Sequence, residues 1–347
     1  MLLGCKPELP PLEYRSDRAW VGSDVVEQVC GGTLARIDRE LEQIESRLEL
    51  PRTNAVVEVY ILDDEASFIH CNRRSENCFR AERTIFVGSS SFERIIAHEL
   101  VHARDYFHTK APDTSYLFSE GLAVALAPSY CPRKFAEELT SDELLSVRSS
   151  HELRELQGYY LGGELVASLL ETHGPAKVLA FMGEAKRTKR PSKIRGKYSE
   201  YFGSELDDDL FAHLREPEDI TPEEFGCFGP QVLADPSGTR FTLHATLDCD
   251  AEDVQNSFMV DGGGYVEWIL TLDEDQAGTY ALVGEVPEWT VLTIEACRCV
   301  ALRGTESRDT SSRSLRHLQP ISSGSYRLRW FGQLDSDAVL DVELVRQ

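Results

Sequence analysis

Residues 95 to 108 read IIAHELVHARDYFH, and no other stretch of this chain restricts its local fold so tightly. Two histidines four positions apart, His98 and His102, lie one above the other only on a helix face. Ser90 followed by Glu93 is a capping-box signature, so that helix is expected from about 91 to 107. Ahead of it, TIFVG (84–88) reads as a short strand, and AVVEVYIL (55–62) alternates and is rich in β-branched residues, a second strand. Leu34, Ile37, Leu41, Ile44 and Leu48 recur at helical spacing. Behind the histidines, YLFSEGLAVALA (116–127) is an apolar helix stopped by Pro128. A longer helix starts near 160, breaks at Gly174-Pro175 and resumes. Helix, strands, two helices around the histidines and further helices together make an α+β first domain.

From about 230 the texture changes. TRFTLHATLDC, GYVEWILTL, GTYALVGEV, WTVLTIEACRCVAL, GSYRLRWFG and AVLDVELVR are short alternating stretches separated by Gly, Asp and Ser. Regular short strands with turn signals indicate an all-β sandwich or barrel, of which we expect the sandwich. A chain of 347 residues is long enough for two domains. We expect a tether over 1–17, the α+β domain over 18–215, a Pro- and acid-rich linker over 216–229 and the β-sandwich over 230–347.

His98 and His102 can aim imidazole nitrogens at a single ion, and both suit zinc. Glu99 points to a neighbouring angle, where it can face a water instead of the ion. A catalytic zinc site needs a third protein ligand and one open position. Glu120 is the candidate, 18 positions after His102 on an otherwise apolar helix. A carboxylate there is costly to bury unless something pairs with it. Taken alone, it could equally lie on the exposed edge of its helix or cap the turn before Gly121.

HExxH followed by Glu120-Gly121-Leu122-Ala123 on the next helix resembles the gluzincins, the thermolysin-like and aminopeptidase-like zinc metallopeptidases. The likeness covers about residues 50 to 210, with YYLGGELVASLLETHG and KYSEYFGSEL as weaker matching elements. It implies zinc held by His98, His102 and Glu120, with Glu99 as general base. It also implies a tyrosine that donates to the oxyanion, a position Tyr159 fits slightly better than Tyr160. Two features depart from the family. No Gly-x-Met-Glu-Asn segment precedes the motif, so aminopeptidase action is not supported. Where thermolysin-type enzymes place an aspartate, four residues past Glu120, this chain has Val124. Asp105, one turn beyond His102, is then a candidate to support a ligand histidine. Strand 84–88 is expected to offer its edge to an extended substrate.

The formal net charge of −23 argues against a nucleic-acid partner, and no apolar run is long enough to span a membrane. The first residues, MLLGCK, resemble the lipobox of bacterial lipoproteins, which makes Cys5 the lipid anchor although the apolar core of a signal peptide is missing. Eight further cysteines suit disulfides outside the cytosol; a cytosolic chain with scattered thiols is the alternative. Four precede residue 150 and four follow 225, so each half could close its own bonds. Cys71 and Cys78 flank a polar loop and look like a local pair. Cys297 and Cys299 are expected to take different partners. The remaining histidines, His70, His108, His151, His173, His213, His244 and His317, are expected to be structural or surface residues. The basic run KRTKRPSKIRGK (186–197) reads as a solvated loop, or else a contact for an acidic substrate or anionic surface.

The sequence thus points to a monomeric, extracytoplasmic zinc metallopeptidase acting on a peptide or protein, as an endopeptidase, followed by an accessory β-sandwich. Its rivals are an inactive surface-binding lipoprotein on the same fold and a zinc hydrolase of a non-peptide substrate.

Overall fold

The structure is a computed structural model that describes residues 7–72, 75, 77–80, 83–109, 115–127, 139–156, 158–185, 188, 190–215, 230–258, 263–285, 287, 290–296, 321–334 and 339–347. It divides into two compact units: Met1–Asp24 with Ile37–Pro222, and Val25–Arg36 with Glu223–Gln347.

In the first unit, β1 (Tyr14–Arg15), β2 (Ala19–Ser23), β3 (Val57–Leu62), β4 (Asn77–Arg80) and β5 (Thr84–Gly88) form one sheet in the order β1-β2-β3-β5-β4. β2, β3 and β5 run parallel, and β1 and β4 pair antiparallel at the two edges. Parallel neighbours require crossovers. α1 (Gly31–Arg47) connects β2 to β3, burying Ile37, Leu41 and Ile44 along the stripe its sequence spacing lays out, with Leu48 just beyond its end. α2 (Asp64–His70) follows β3, and its first turn is capped by the Asp63 carboxylate.

β5 is paired on both sides, so the expectation of an open edge at 84–88 is corrected. Asn77 and Cys78, read from sequence as the end of a polar loop, belong to β4, which covers that edge. Tyr14–Arg15, assigned to the tether, likewise pairs with β2.

A 3₁₀ turn at Ser89–Ser91 leads into α3 (Phe92–Thr109), so Ser90 lies inside that turn and not at a helix cap. The Ser90 N–H is held instead by Asp64 Oδ1 at 3.1 Å. α4 (Tyr116–Leu126), α5 (Ser141–Ser146), α6 (Ser150–Glu155), α7 (Gly158–His173), α8 (Pro175–Ala185), α9 (Pro191–Phe202) and α10 (Leu206–Arg215) complete the unit. α9 corrects the loop reading of the basic run from residue 191 onward. Pro191 is preset for a first helical turn, Gly203 closes the helix at φ +80°, and Ile194, Tyr198 and Phe202 are buried at four-residue spacing. Its cations are engaged locally: Arg195 with Asp142 and Asp207, Lys197 with Glu184 and Glu200.

The second unit holds β6 (Gln231–Val232), β7 (Arg240–Thr246), β8 (Val254–Ser257), β9 (Gly263–Leu272), β10 (Tyr280–Glu285), β11 (Val291–Ala296), β12 (Gly324–Gln333) and β13 (Val339–Arg346). One sheet runs β10-β13-β7 and the other β11-β12-β9-β6, with β8 added on β9. Both contribute to a single core, Phe241, Leu243, Tyr280, Leu282 and Val342 from one and Val266, Trp268, Leu328 and Trp330 from the other. That shared core makes the unit a β-sandwich. β7 shows why the sequence reads so clearly, since its residues alternate strictly between exposed and buried.

Residues Val25–Arg36 belong to this unit through long-range bonds. Cys30 is joined to Cys249, the Thr33 hydroxyl meets Asn256 Oδ1 at 3.1 Å, and Arg36 donates to the Tyr265 hydroxyl at 2.8 Å. The expectation that each half of the sequence closes its own disulfides is therefore corrected for Cys30. Its partner lies 219 positions away, which no local spacing reveals. Cys71–Cys78 forms as expected. Cys5, Cys131, Cys227, Cys297 and Cys299 lie outside the described residues, as does Pro128. Among the described residues, no helix is long and apolar enough to cross a membrane.

Candidate metal centre

α3 buries almost every residue from Ile95 to Asp105, so its polar side chains need partners within the fold. On one side, Arg104 donates from Nε to Glu45 Oε1 at 2.9 Å and from Nη2 to the Pro51 carbonyl at 2.8 Å. Arg18 reaches the same Glu45 oxygen at 2.8 Å. These buried ion pairs fix the rotation of α3 about its axis. The face bearing His98 and His102 is thereby turned towards α4.

There Glu120 joins them. His98 Nε2 lies 3.1 Å from Glu120 Oε2, His102 Nε2 lies 3.3 Å from the same oxygen, and the two Nε2 atoms are 3.2 Å apart. All three side chains are buried. Bonds of about 2.0–2.1 Å to a tetrahedral zinc ion separate its ligand atoms by about 3.3–3.4 Å. The triangle therefore has the dimensions of one face of such a site, and the donors, two imidazoles and a carboxylate, are those of a hydrolytic zinc centre. Protons alone serve the arrangement poorly, because three acceptor-capable atoms converge on one point. A divalent cation satisfies all three together. Burial pushes the Glu120 carboxyl upward, but the charge of His102 and hydrogen bonds from both imidazoles outweigh it and hold the group well below the usual carboxylate range.

Glu99 is buried beside the triangle without belonging to it. Burial raises its carboxyl above the ordinary value, and the neighbouring Glu120 adds to this. The two histidines and a hydrogen bond donated by the Phe79 backbone amide of β4 pull the other way. A buried carboxylate with a raised proton affinity, next to a cation site, is placed to accept a proton from water.

His102 has its other ring nitrogen, Nδ1, 3.4 Å from the Ser119 hydroxyl on α4. Ser119 is thus placed beside a candidate ligand histidine; Asp105, the sequence's candidate for supporting one, is buried one turn further along α3. Position 124, where the family's aspartate is missing, carries a buried valine. A methyl on Gly163 of α7 would come within 2.5 Å of Val124 Cγ1, so this position packs tightly on α7.

α7 crosses α4 at backbone contact. A Cβ on Gly121 would sit 2.5 Å from the Gly162 carbonyl, and one on Gly162 would sit 2.5 Å from the Leu117 carbonyl. Only glycine at both positions permits that approach, which explains physically why glycine follows Glu120. The close crossing brings the start of α7 over the metal face. The Tyr159 ring lies nearly parallel to His98, centroids 6.0 Å apart and planes at 16°. The Arg154 guanidinium stands over the Tyr159 ring at 5.8 Å. Tyr160 instead hydrogen-bonds to Glu164, whose carboxyl burial pushes up to about 7 despite that bond. Of the two tyrosines, Tyr159 therefore lies at the metal face.

Of the other histidines, His317 and the His213 side chain lie outside the described residues, and the rest fall where expected. His70 is buried and stacks on Phe86 at 5.1 Å, while His108, His151 and His244 are exposed. Among the described residues, His98, His102 and Glu120 form the one cluster with metal-ligand geometry. The sequence could have pointed to Ser119, which directly precedes Glu120, but nothing in it marks the Phe79 amide.

Glu120 on α4 together with His98, Glu99 and His102 on α3 matches a gluzincin-type catalytic arrangement. The buried cluster supports a metal-dependent hydrolase rather than an inert scaffold. No protein-family model matches the chain, and no curated protein matches it at a significant level.

Proposed function

We propose that this protein is a zinc-dependent metallopeptidase of the gluzincin type, cleaving internal peptide bonds. The observation that carries the reading is the 3.1–3.3 Å triangle of His98, His102 and Glu120 with Glu99 buried beside it. His98, His102 and Glu120 would hold the ion, and Ser119 would keep the His102 ring in register by accepting from Nδ1. When bound, zinc lowers the pKa of a water to about 7 and polarises a carbonyl. Glu99 would accept a proton from the attacking water and deliver it to the leaving amine. The Tyr159 hydroxyl donates to the oxyanion that develops on the scissile carbonyl.

The two disulfides are consistent with an oxidising compartment. This supports an extracytoplasmic protein, with Cys5 as lipid anchor if the lipobox-like start is used. The catalytic domain spans about 18–215 and the β-sandwich 230–347, the latter serving to bind, anchor or stabilise. We expect a monomer acting on a peptide or protein.

The decisive experiment measures bound metal and casein hydrolysis for the wild type beside Glu99→Ala. One equivalent of zinc in both proteins, with hydrolysis lost only in the variant, is the expected result. Zinc bound without hydrolysis of any peptide in a library would favour a binding protein or a hydrolase of another substrate. Absence of zinc binding would sink the assignment.

A further inference from the structure

No step of the proposed reaction uses Arg154, yet the fold fixes it beside the metal face. It is carried by α6, a short helix held at its start by two bonds: Ser149 Oγ accepts the Glu152 N–H at 3.1 Å, and Glu152 Oε2 accepts the Arg148 N–H at 2.7 Å. The next residue, Leu153, is buried, and its methyl, with one from Leu144, occupies the space a side chain at Gly158 of α7 would need. α6 thus turns Leu153 into the core and leaves Arg154 exposed. The Arg154 guanidinium stands 5.8 Å from the centre of the Tyr159 ring, and that ring lies along His98 with centroids 6.0 Å apart. Burial falls along this series, since His98 is buried, Tyr159 half-buried and Arg154 exposed. The stack therefore leads from the metal face out to solvent, and a substrate reaching the ion along it meets a fixed positive charge.

We propose that Arg154 is a specificity-determining residue, selecting peptides with an aspartate or glutamate side chain within about three residues of the scissile bond. The proposal rests on the reading of the site as a peptidase. A guanidinium carries five N–H donors and grips a carboxylate by two of them, a geometry no neutral side chain matches as well. The two ring contacts place Arg154 no more than about 12 Å from the His98 ring, and an extended peptide advances about 3.3–3.6 Å per residue, which sets the three-residue limit. Lying over Tyr159 holds the cation there without consuming its charge. A chain with a formal net charge of −23 repels an acidic peptide at long range, so a preference for one needs a local cation at the site.

The test compares peptides acetylated and amidated at their ends, so that terminal charges play no part. Glutamate or glutamine is placed in turn at each of three positions on either side of the cleaved bond. For the zinc-loaded wild type, glutamate should be favoured in kcat/KM by at least about threefold at one position, the scale of an exposed ion pair. Arg154→Gln should bring that ratio to about one, and Arg154→Glu should favour lysine over glutamine there. Arg148 is an exposed cation just ahead of α6, and Arg148→Gln should keep the wild-type ratio. No glutamate preference in the wild type, or one that survives in Arg154→Gln, would overturn the proposal. So would an equal fall in kcat for both peptides in Arg154→Gln, the signature of a residue that only props Tyr159. A second readout needs no turnover: calorimetry on zinc-loaded wild type and Arg154→Gln gives the Kd of a peptide hydroxamate carrying glutamate and of its glutamine counterpart. At least about threefold tighter binding of the glutamate probe is expected in the wild type alone. If the wild type hydrolyses no peptide, the peptidase reading fails, and the hydroxamate pair decides whether Arg154 selects an acid.

Discussion

Replacing Gly162 by alanine tests whether the close crossing of α4 and α7 assembles the metal centre. The added methyl would lie 2.5 Å from the Leu117 carbonyl oxygen and 3.2 Å from Gly121 Cα. Neither is the flexible end of a side chain, so no rotamer change relieves the clash. Reaching an ordinary 3.4 Å contact requires the helices to part by about 0.9 Å, the difference between 3.4 and 2.5 Å. Alanine in a helix interior gains about 1 kcal/mol over glycine, and overpacking costs about 1–3 kcal/mol, so the net change in stability is small, about 0–2 kcal/mol. The ligand triangle is far less tolerant. Leu117 and Gly121 bracket Glu120, and a shift of that size on an edge of 3.1 or 3.3 Å leaves tetrahedral geometry. A zinc affinity lower by about 10–100-fold and a kcat/KM lower by about 100-fold are expected. Zinc competition against a chromophoric chelator, with thermal melting of the metal-free protein alongside, measures both parts. Gly183→Ala on α8 is the control, because its methyl meets nothing within 4 Å. It should raise stability by up to about 1 kcal/mol and leave zinc affinity alone. If Gly162→Ala behaves like this control, the crossing does not position Glu120 and the argument is wrong.

Ser119→Ala should keep the fold and weaken zinc binding by about 10-fold, since the hydroxyl meets His102 Nδ1; affinity equal to wild type in the same competition assay would exclude it as a support. Tyr159→Phe should lower kcat by about 10²–10³ with zinc content unchanged, while Tyr160→Phe, which loses a bond to Glu164, should cost little; steady-state kinetics on one peptide separates them. Glu164 supplies a pH signature. Burial raises its folded pKa to about 7 from a model-compound value of 4.5, so the folded state binds the extra proton between those limits. Stability from this group therefore rises as pH falls from about 7 towards 4.5, and is flat outside that window. The side chain is only half-buried, which reduces the effect to about 1–2 kcal/mol. Denaturant unfolding of metal-free wild type and Glu164→Gln across that range should show the slope only in the wild type.

What was legible in the sequence, and what was not, separates by the range of the interaction concerned. His98 and His102 stood out because four-residue spacing on a helix is a local geometric fact. Glu120 stood out because a carboxylate on an apolar helix just behind HExxH is best explained by a shared cation. The β-sandwich was readable because a strand such as β7 alternates at every position. The basic run at 186–197 misled because charge masked Ile194, Tyr198 and Phe202, whose four-residue spacing was the true signal. β4 was hidden for a related reason: CNRRSENC is polar throughout, and its strand character comes from pairing with β5 and from a disulfide, neither of which has a local signature. Cys30–Cys249 and the Phe79 amide are longer-range still, and a backbone N–H is the same at every residue. The choice between Tyr159 and Tyr160 depends on how α7 is rotated against α4. That rotation is set where the Gly121 and Gly162 backbones touch, so the two glycines, unremarkable in the sequence, decide which tyrosine ring lies against His98. A site can thus announce its ligands through spacing while the parts beside them, a serine and a pair of glycines, are defined only by the contacts of the folded chain.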